Sequence, residues 1–579
     1  MDNNFSKDKI LLENIVDRFE KKEKLQYTIN GVITKGEYEA ILRSIKCYVD
    51  SGVKTPVLVD GGGYLSNELT ITKDVEVECE DLAPEISVDK DFSDKGGDDA
   101  IYNSLNLSVL EGKELLGDYK VGLDFGTAFS KACIVHLEDE EEVILDLPLG
   151  LYAGEDSMEM PVSSSLYIKD NKLFFGAIAV EKSEECRNVA GSPLRIDSIK
   201  SFLIDENRAT LEDSPLDKKY NPTGVEIPKA ALLAFYLGYF LYLIRLSAKE
   251  KHGVDISYVE RRICLPCYKE GHREKVTKEL SILFSMGEVL SASFKNEWED
   301  GFEIKDVLNI YSWMKKNICN SSNYIEKYLE ESLAVASSRL GVKSKTAGNA
   351  FLVIDIGAGT TDFTMYEVFS NAESDSNRAR EIKGAEYGVP IAGNKLDTAL
   401  VKLVLYKSGI TRGIKDYQLI LTSLRMDVRS YKEALFKNRK LTYKLLNGVS
   451  GEILLSDFLK TDDVKKFTSG LKGAIRHVLE SIHPSWIKTK IRSKNMNGML
   501  PVILAGGGAS LPMLKSLVNG VVNIGGYDVN LRMAELIPKW ISDNYEGEIV
   551  DLYPQMAVSI GSAKQFVIEK TAVVEEYTG

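Results

Sequence analysis

Three glycine-rich turns hold the residue types that could grip a charged ligand. The run VGLDFGTAFS carries Asp124-Phe125-Gly126-Thr127-Ala128, and VIDIGAGTTDFT carries Asp355-Ile356-Gly357-Ala358-Gly359-Thr360-Thr361-Asp362. In the third, ILAGGGASLP, the turn is Ala505-Gly506-Gly507-Gly508-Ala509-Ser510-Leu511-Pro512. In the first two, a carboxylate ends an apolar strand two residues before a glycine. That arrangement sets an acid beside bare backbone N–H groups, which can hold phosphate oxygens while the acid binds Mg2+ through water. Thr127, Ser130 and Thr360 add hydroxyls, and Asp362 adds a further carboxylate. The three glycines of the third turn would let a flat group such as a nucleoside lie against backbone. One such turn is ordinary turn chemistry. Two D-x-G hairpins and a triple-glycine turn in this order are a far more specific signal.

The elements that must position these turns follow from the flanking residues. Residues 119–135 and 351–368 each read as strand, turn and return strand, and 501–518 as a strand leading into a helix over 513–518. The first two patterns lie about 230 positions apart, which suggests a duplicated domain with one copy per lobe. The N-terminal region has a different texture. Leu11, Leu12, Ile15, Val16 and Phe19 recur at helical spacing, a second helix is expected over 36–49, and 69–80 alternates like a strand. Residues 81–99 are acidic and read as a linker, with a boundary near 85–115.

Composition narrows the function classes. The chain has 579 residues, 44% hydrophobic and 27% charged, with net charge −14, as expected of a globular protein of three or four domain-sized units. That acidity argues against nucleic acid and anionic membranes as partners. The longest continuously apolar stretch, AALLAFYLGYFLYLI, is shorter than a membrane span and reads as a buried helix. Seven scattered cysteines and a charged, amphipathic N-terminus without a signal-peptide core point to a cytoplasmic protein with reduced thiols. Cys264 and Cys267 form a lone CxxC and read as two packed thiols, and the five histidines show no metal spacing. Gly61-Gly62-Gly63 reads as a loop, and the Lys/Glu faces over 465–480 as solvated surface.

Taken together, the three turns resemble the nucleotide-binding signatures of the actin/hexokinase/heat-shock ATPase superfamily, above all the ATPase domain of DnaK-type chaperones. VGLDFGTAFS is similar to that family's first phosphate motif, VIDIGAGTTDFT to its second and ILAGGGASLP to its adenosine motif. YLEESLAVASSRLG (328–341) and YGVPIAGNKLDTALVKLV (387–404) resemble its two connecting motifs, through Glu331 and through Gly393 and Asp397. Fainter matches assign Lys200 as the catalytic lysine, Pro266 and Arg273 as a switch pair, and Lys432 and Glu433 as adenosine contacts. YPQMAVSIGSA (553–563) resembles the end of the domain. The resemblance covers about 119–565. Ala128, Arg429 and Ser510 depart from the family's residues, and about 289–323 is an extra segment. Only 18 residues follow Gly561, so the C-terminal peptide-binding domain of that family is expected to be absent.

The resemblance implies an α/β, actin-like ATPase fold of two duplicated ribonuclease-H-like lobes around a nucleotide cleft, plus a small N-terminal α+β extension. Its expected limits are 1–115 for the extension, 116–347 for lobe I with 554–579 returning to it, and 348–553 for lobe II. It implies ATP or ADP and Mg2+ as cofactors. Asp124 and Asp355 would hold the metal through water. Gly126, Thr127, Gly357, Gly359 and Thr360 would cradle the phosphates, Ala128 and Gly393 would complete the nucleotide-binding set, and Gly506, Gly507 and Gly508 would face the base. Lys200, Glu331, Asp355 and Asp362 would carry slow hydrolysis that switches lobe closure for a protein partner, held through residues 1–115 or lobe II. The alternatives are an actin-like filament protein, a small-molecule kinase or phosphatase, and a nucleotide-gated scaffold without significant hydrolysis.

Overall fold

The computed structural model describes residues 104–111 and 115–568, apart from 140, 156–158, 188, 190, 205–208, 319–324, 341–348, 371–376, 494–495 and 566. Before residue 104 it describes only the backbone of three short strands, Tyr27–Thr28, Val57–Leu58 and Thr70–Thr72, which form one antiparallel sheet. The expected helices near residues 11–19 and 36–49, the Gly61–Gly63 loop and the acidic linker lie outside the described residues. The chain divides into two compact units, Met1–Lys95 and Gly96–Gly579. The second unit is a mixed α/β structure.

Two mixed sheets of matching order organise that unit. In the first, Tyr119–Asp124, Phe129–Glu138 and Glu141–Asp146 form an antiparallel meander; Glu260–Leu265 and then Ile325–Glu330 add in parallel beside Tyr119–Asp124. In the second, Asn349–Ile356, Thr361–Ser370 and Asn377–Glu381 form the meander; Met499–Ala505 and then Tyr527–Met533 add in parallel, with Gly520–Ile524 at the edge. The central strands read LDF and VIDI because both faces of a helix-covered sheet are dry. Each sheet has its own apolar core.

A third cluster joins the two sheets. The helices Glu331–Arg339 and Tyr553–Ala563 supply Leu333, Ala334, Met556 and Ile560, which pack with Cys133 and Val135 of one sheet and Val353 and Ile503 of the other. Gly561 explains how closely the two helices approach. A Cβ there would stand 1.7 Å from the Ala334 carbonyl oxygen, so no other residue fits.

The apolar stretch noted in the sequence is the core of helix Lys229–His252, which is long and apolar enough to cross a membrane but is largely buried within the fold. It stops at Gly253, whose φ of 68° is the left-handed conformation that glycine adopts without a steric penalty. The segment over 289–323 contributes helices Glu297–Asp300 and Ile304–Asn317 with the short strand Phe302–Glu303 between them, and Trp298 and Phe302 both meet Phe175 edge-on. Helix Asp462–Glu480 buries Val464, Phe467, Leu471 and Val478 and turns Lys465, Lys472 and Arg476 outward. The helix after the third glycine turn spans only Leu514–Leu517, shorter than the expected 513–518.

Candidate functional site

The first two turns are tight hairpins that face each other. Asp124 ends one central strand and Asp355 nearly ends the other; both are buried. A Cβ placed on Gly359 would stand 2.9 Å from Thr127 Oγ1 and 3.3 Å from the Ile204 side chain. Only glycine leaves room there. Among the described residues, the N–H groups of Thr127, Ala128, Ala358, Gly359 and Thr360 have no hydrogen-bond acceptor. Such unspent donors at two apposed turns form a receptacle for anionic oxygens. The second hairpin is closed by Gly357 N–H donating to the Thr360 carbonyl at 3.0 Å. It is braced from outside, where Gly393 and Asn394 donate to the carbonyls of Gly357 and Ala358 at 3.1 and 2.8 Å. Gly393 therefore supports the cradle through backbone at the start of helix Gly393–Lys407.

Five ionisable groups named from the sequence meet beneath these hairpins. Lys200, on the 3-10 turn Ile199–Leu203, is almost fully buried and ion-paired with Glu331, the first residue of helix Glu331–Arg339. Burial works against the charged ammonium, yet Glu331 and Asp124 outweigh it and hold the Lys200 pKa above its ordinary value. Asp355 is pushed well above the usual carboxylate range by burial and by the charges of Glu331, Asp124 and Asp362. Asp362 is raised to about 7, first by burial and then by Glu331. It accepts from Cys267 N–H at 2.8 Å and from the Thr360 hydroxyl at 3.1 Å. The donor set is hard oxygen, four carboxylates against the one ammonium of Lys200, which suits a partly hydrated divalent ion such as Mg2+. Asp355 and Asp362, directly opposite in register, are the carboxylates best placed to hold it.

Three sequence readings change in detail. Ser130 does not face the receptacle, because its hydroxyl is spent on Tyr236 at 2.8 Å and Ser164 at 3.1 Å in the core. In the third turn, a Cβ on Gly506 would stand 2.4 Å from Asp355 Oδ1, and one on Gly508 2.4 Å from Ile356 Cγ2. Those two glycines exist to let the turn close onto the second hairpin, and Gly506 also requires its φ of 77°. Gly507 alone of the three has open space beside it. Lys432 is ion-paired with Asp397 at 2.7 Å and lies beside Gly393. Glu433 shares that neighbourhood, and burial raises its pKa. The departing Arg429 reaches across to the Asp197 carbonyl at 3.2 Å and lies over the Phe129 ring.

The sequence reading missed Lys131. It sits opposite Asp124 in register, and its ammonium lies 2.8 Å from Asp124 Oδ2, against the first hairpin. Counting seven residues onward across a tight hairpin would have found it. His272, one of the histidines without metal spacing, donates its Nε2 proton to the Leu203 carbonyl at 2.7 Å and so fixes the turn that carries Lys200. The CxxC thiols are free. The Cys267 sulfur lies within 4.8 Å of carboxylate oxygens of Glu330 and Glu386, but burial and nearby Asp362, Glu330 and Glu386 push its pKa well up. A protonated thiol is a poor metal ligand. Arg273 is ion-paired with Glu330. Searched against protein-family models and curated protein sequences, the chain matches none.

Proposed function

We propose that the chain is an Mg-ATP-binding, slowly hydrolysing ATPase of heat-shock type, built on two actin-like, ribonuclease-H-like lobes and acting as a conformational switch for a protein partner. The observation that carries the reading is the apposition of Gly359 with Thr127 above one buried cluster of Asp124, Lys200, Glu331, Asp355 and Asp362. The matching strand order of the two sheets and their shared helix pair support the two-lobed part of the proposal.

In this reading the free N–H groups of the two hairpins bind the phosphates, and Lys131 adds fixed positive charge beside the first. The bound ion would neutralise the phosphate oxygens. Asp355 and Asp362 would hold it, with Asp124 already engaged by Lys131. Lys200 offsets charge on the first lobe's side, and Glu331 keeps it in place. Hydrolysis in such a site is mostly positioning and charge neutralisation. The test is single-turnover hydrolysis by the full chain and by Asp355→Ala and Lys200→Ala variants. Slow turnover lost in both is expected; turnover retained in both rejects the assigned roles.

A second reading, a nucleotide-gated scaffold without significant hydrolysis, is favoured by one contact. The Lys200 ammonium is already held by Glu331 in a buried pair, so it is not free to position an attacking water. Tight ATP binding with no turnover over hours would select it.

A further inference from the structure

A second cavity lies between the lobes, outside the hairpins. Its volume is about 990 Å³, the size of a small-molecule site. The first lobe contributes residues 194–198, Ser201 and Phe202 with Lys219 and Tyr220; the second contributes one side of helices Gly393–Lys407 and Tyr417–Asn438 and the turn between them. Its inner wall is fixed by Arg429 donating to the Asp197 carbonyl.

The cavity's charge is unlike that of the acidic protein around it. Five cations line it against two carboxylates. Both carboxylates are spent: Asp197 on Arg195, with Nε to Oδ1 at 2.5 Å, and Asp397 on Lys432. Lys219 and Lys402 have their own exposed partners, Asp217 and Asp463. Arg412 and Arg425 differ, because among the described residues neither guanidinium has a hydrogen-bond or ion-pair partner. Phe202 and Tyr220 from one lobe, and Tyr417 and Leu421 from the other, supply flat apolar walls. Guanidinium groups with spare donors favour phosphate-like dianions, and aromatic walls favour a planar body.

We propose that this cavity binds a small planar molecule carrying a phosphate-type dianion, with Arg412 and Arg425 as the anion contacts. Such a ligand touches both lobes and so ties their relative position to its own concentration. By linkage it shifts the affinity of whatever binds between the hairpins. The proposal does not need the hairpins to bind a nucleotide.

The probe is phenylphosphonate, titrated calorimetrically into the full chain without nucleotide. Saturable binding is expected, weakened at least tenfold in the Arg412→Ala/Arg425→Ala double variant and at least threefold in Tyr220→Ala, which lies on the opposite lobe. Lys131→Met, which removes the cation beside the first hairpin, is the control for binding at the hairpins and should leave the phenylphosphonate affinity unchanged. No saturable binding overturns the proposal. So does binding that survives the double variant, that ignores Tyr220→Ala, or that falls only with Lys131→Met. Circular dichroism of each variant separates a lost contact from a lost fold. Failure of ATP to bind in a parallel titration leaves this result standing, so the two readings fail separately.

Discussion

The two facing hairpins share a backbone plan and differ in one cross-strand partner. Asp124 faces Lys131, and Asp355 faces Asp362. Directly opposed side chains on a hairpin lie within interaction distance, so the first pair attracts and the second repels. The first hairpin therefore carries a neutralised acid beside free N–H groups, a surface for anions. The second carries two buried acids whose pKa values are both raised, a surface that calls for a cation. Turns of equal length carry unlike charge, and the proposed metal–polyphosphate site, with its metal toward the second hairpin, rests on that contrast.

The largest expected effect comes from erasing the acidic partner. Asp355→Ala should abolish the Mg2+-dependent part of ATP affinity, with at least a hundredfold loss by calorimetry, while metal-free binding changes little. Next comes the converse change: Lys131→Met should weaken metal-free ATP binding about tenfold, the scale of one charge-assisted contact, and deepen the dependence on Mg2+. If both variants behave alike, the contrast between the hairpins is wrong.

A third expectation concerns pH. The folded-state pKa of Asp362 is raised from 3.8 to about 7, so its protonated form favours the fold. That stability is full below about 4 and is lost as pH rises through about 7. Asp362→Asn keeps the neutral form at all pH. In EDTA its melting temperature should match wild type near pH 4, pull ahead between pH 4 and 7, and stay ahead above that. Mg2+ should narrow the gap at pH 8 and leave it unchanged near pH 4. The smallest effect is structural: Gly561→Ala forces a methyl against the Ala334 carbonyl and should cost about 1–3 kcal/mol by urea denaturation. ATP affinity should be preserved once the protein is folded.

The hairpins were legible in the sequence because their chemistry is local. An acid, a glycine and a threonine within six residues state both the turn and its donors. The buried helix 229–252 and the outward Lys/Arg face of 462–480 follow equally from short-range patterning. Contacts between distant segments were not legible on the same terms. The pairing of Lys200 with Glu331 joins residues 131 positions apart, and only a resemblance put both near one site. The support that His272 gives to the Lys200 turn, and the bridge from Arg187 to Asp427 on the other lobe, leave no local pattern to read. The third turn shows the opposite error. Its glycines suggested a ligand surface, yet two of them are demanded by packing against Ile356 and Asp355, and a glycine required by a neighbour reads like one required by a ligand.

The central claim is that one metal–polyphosphate site lies between the two hairpins. Calorimetric titration of ATP into the full chain, with Mg2+ and with EDTA, tests it most directly. One site per chain is expected, bound at least tenfold more tightly with Mg2+. No saturable binding in either buffer would contradict it.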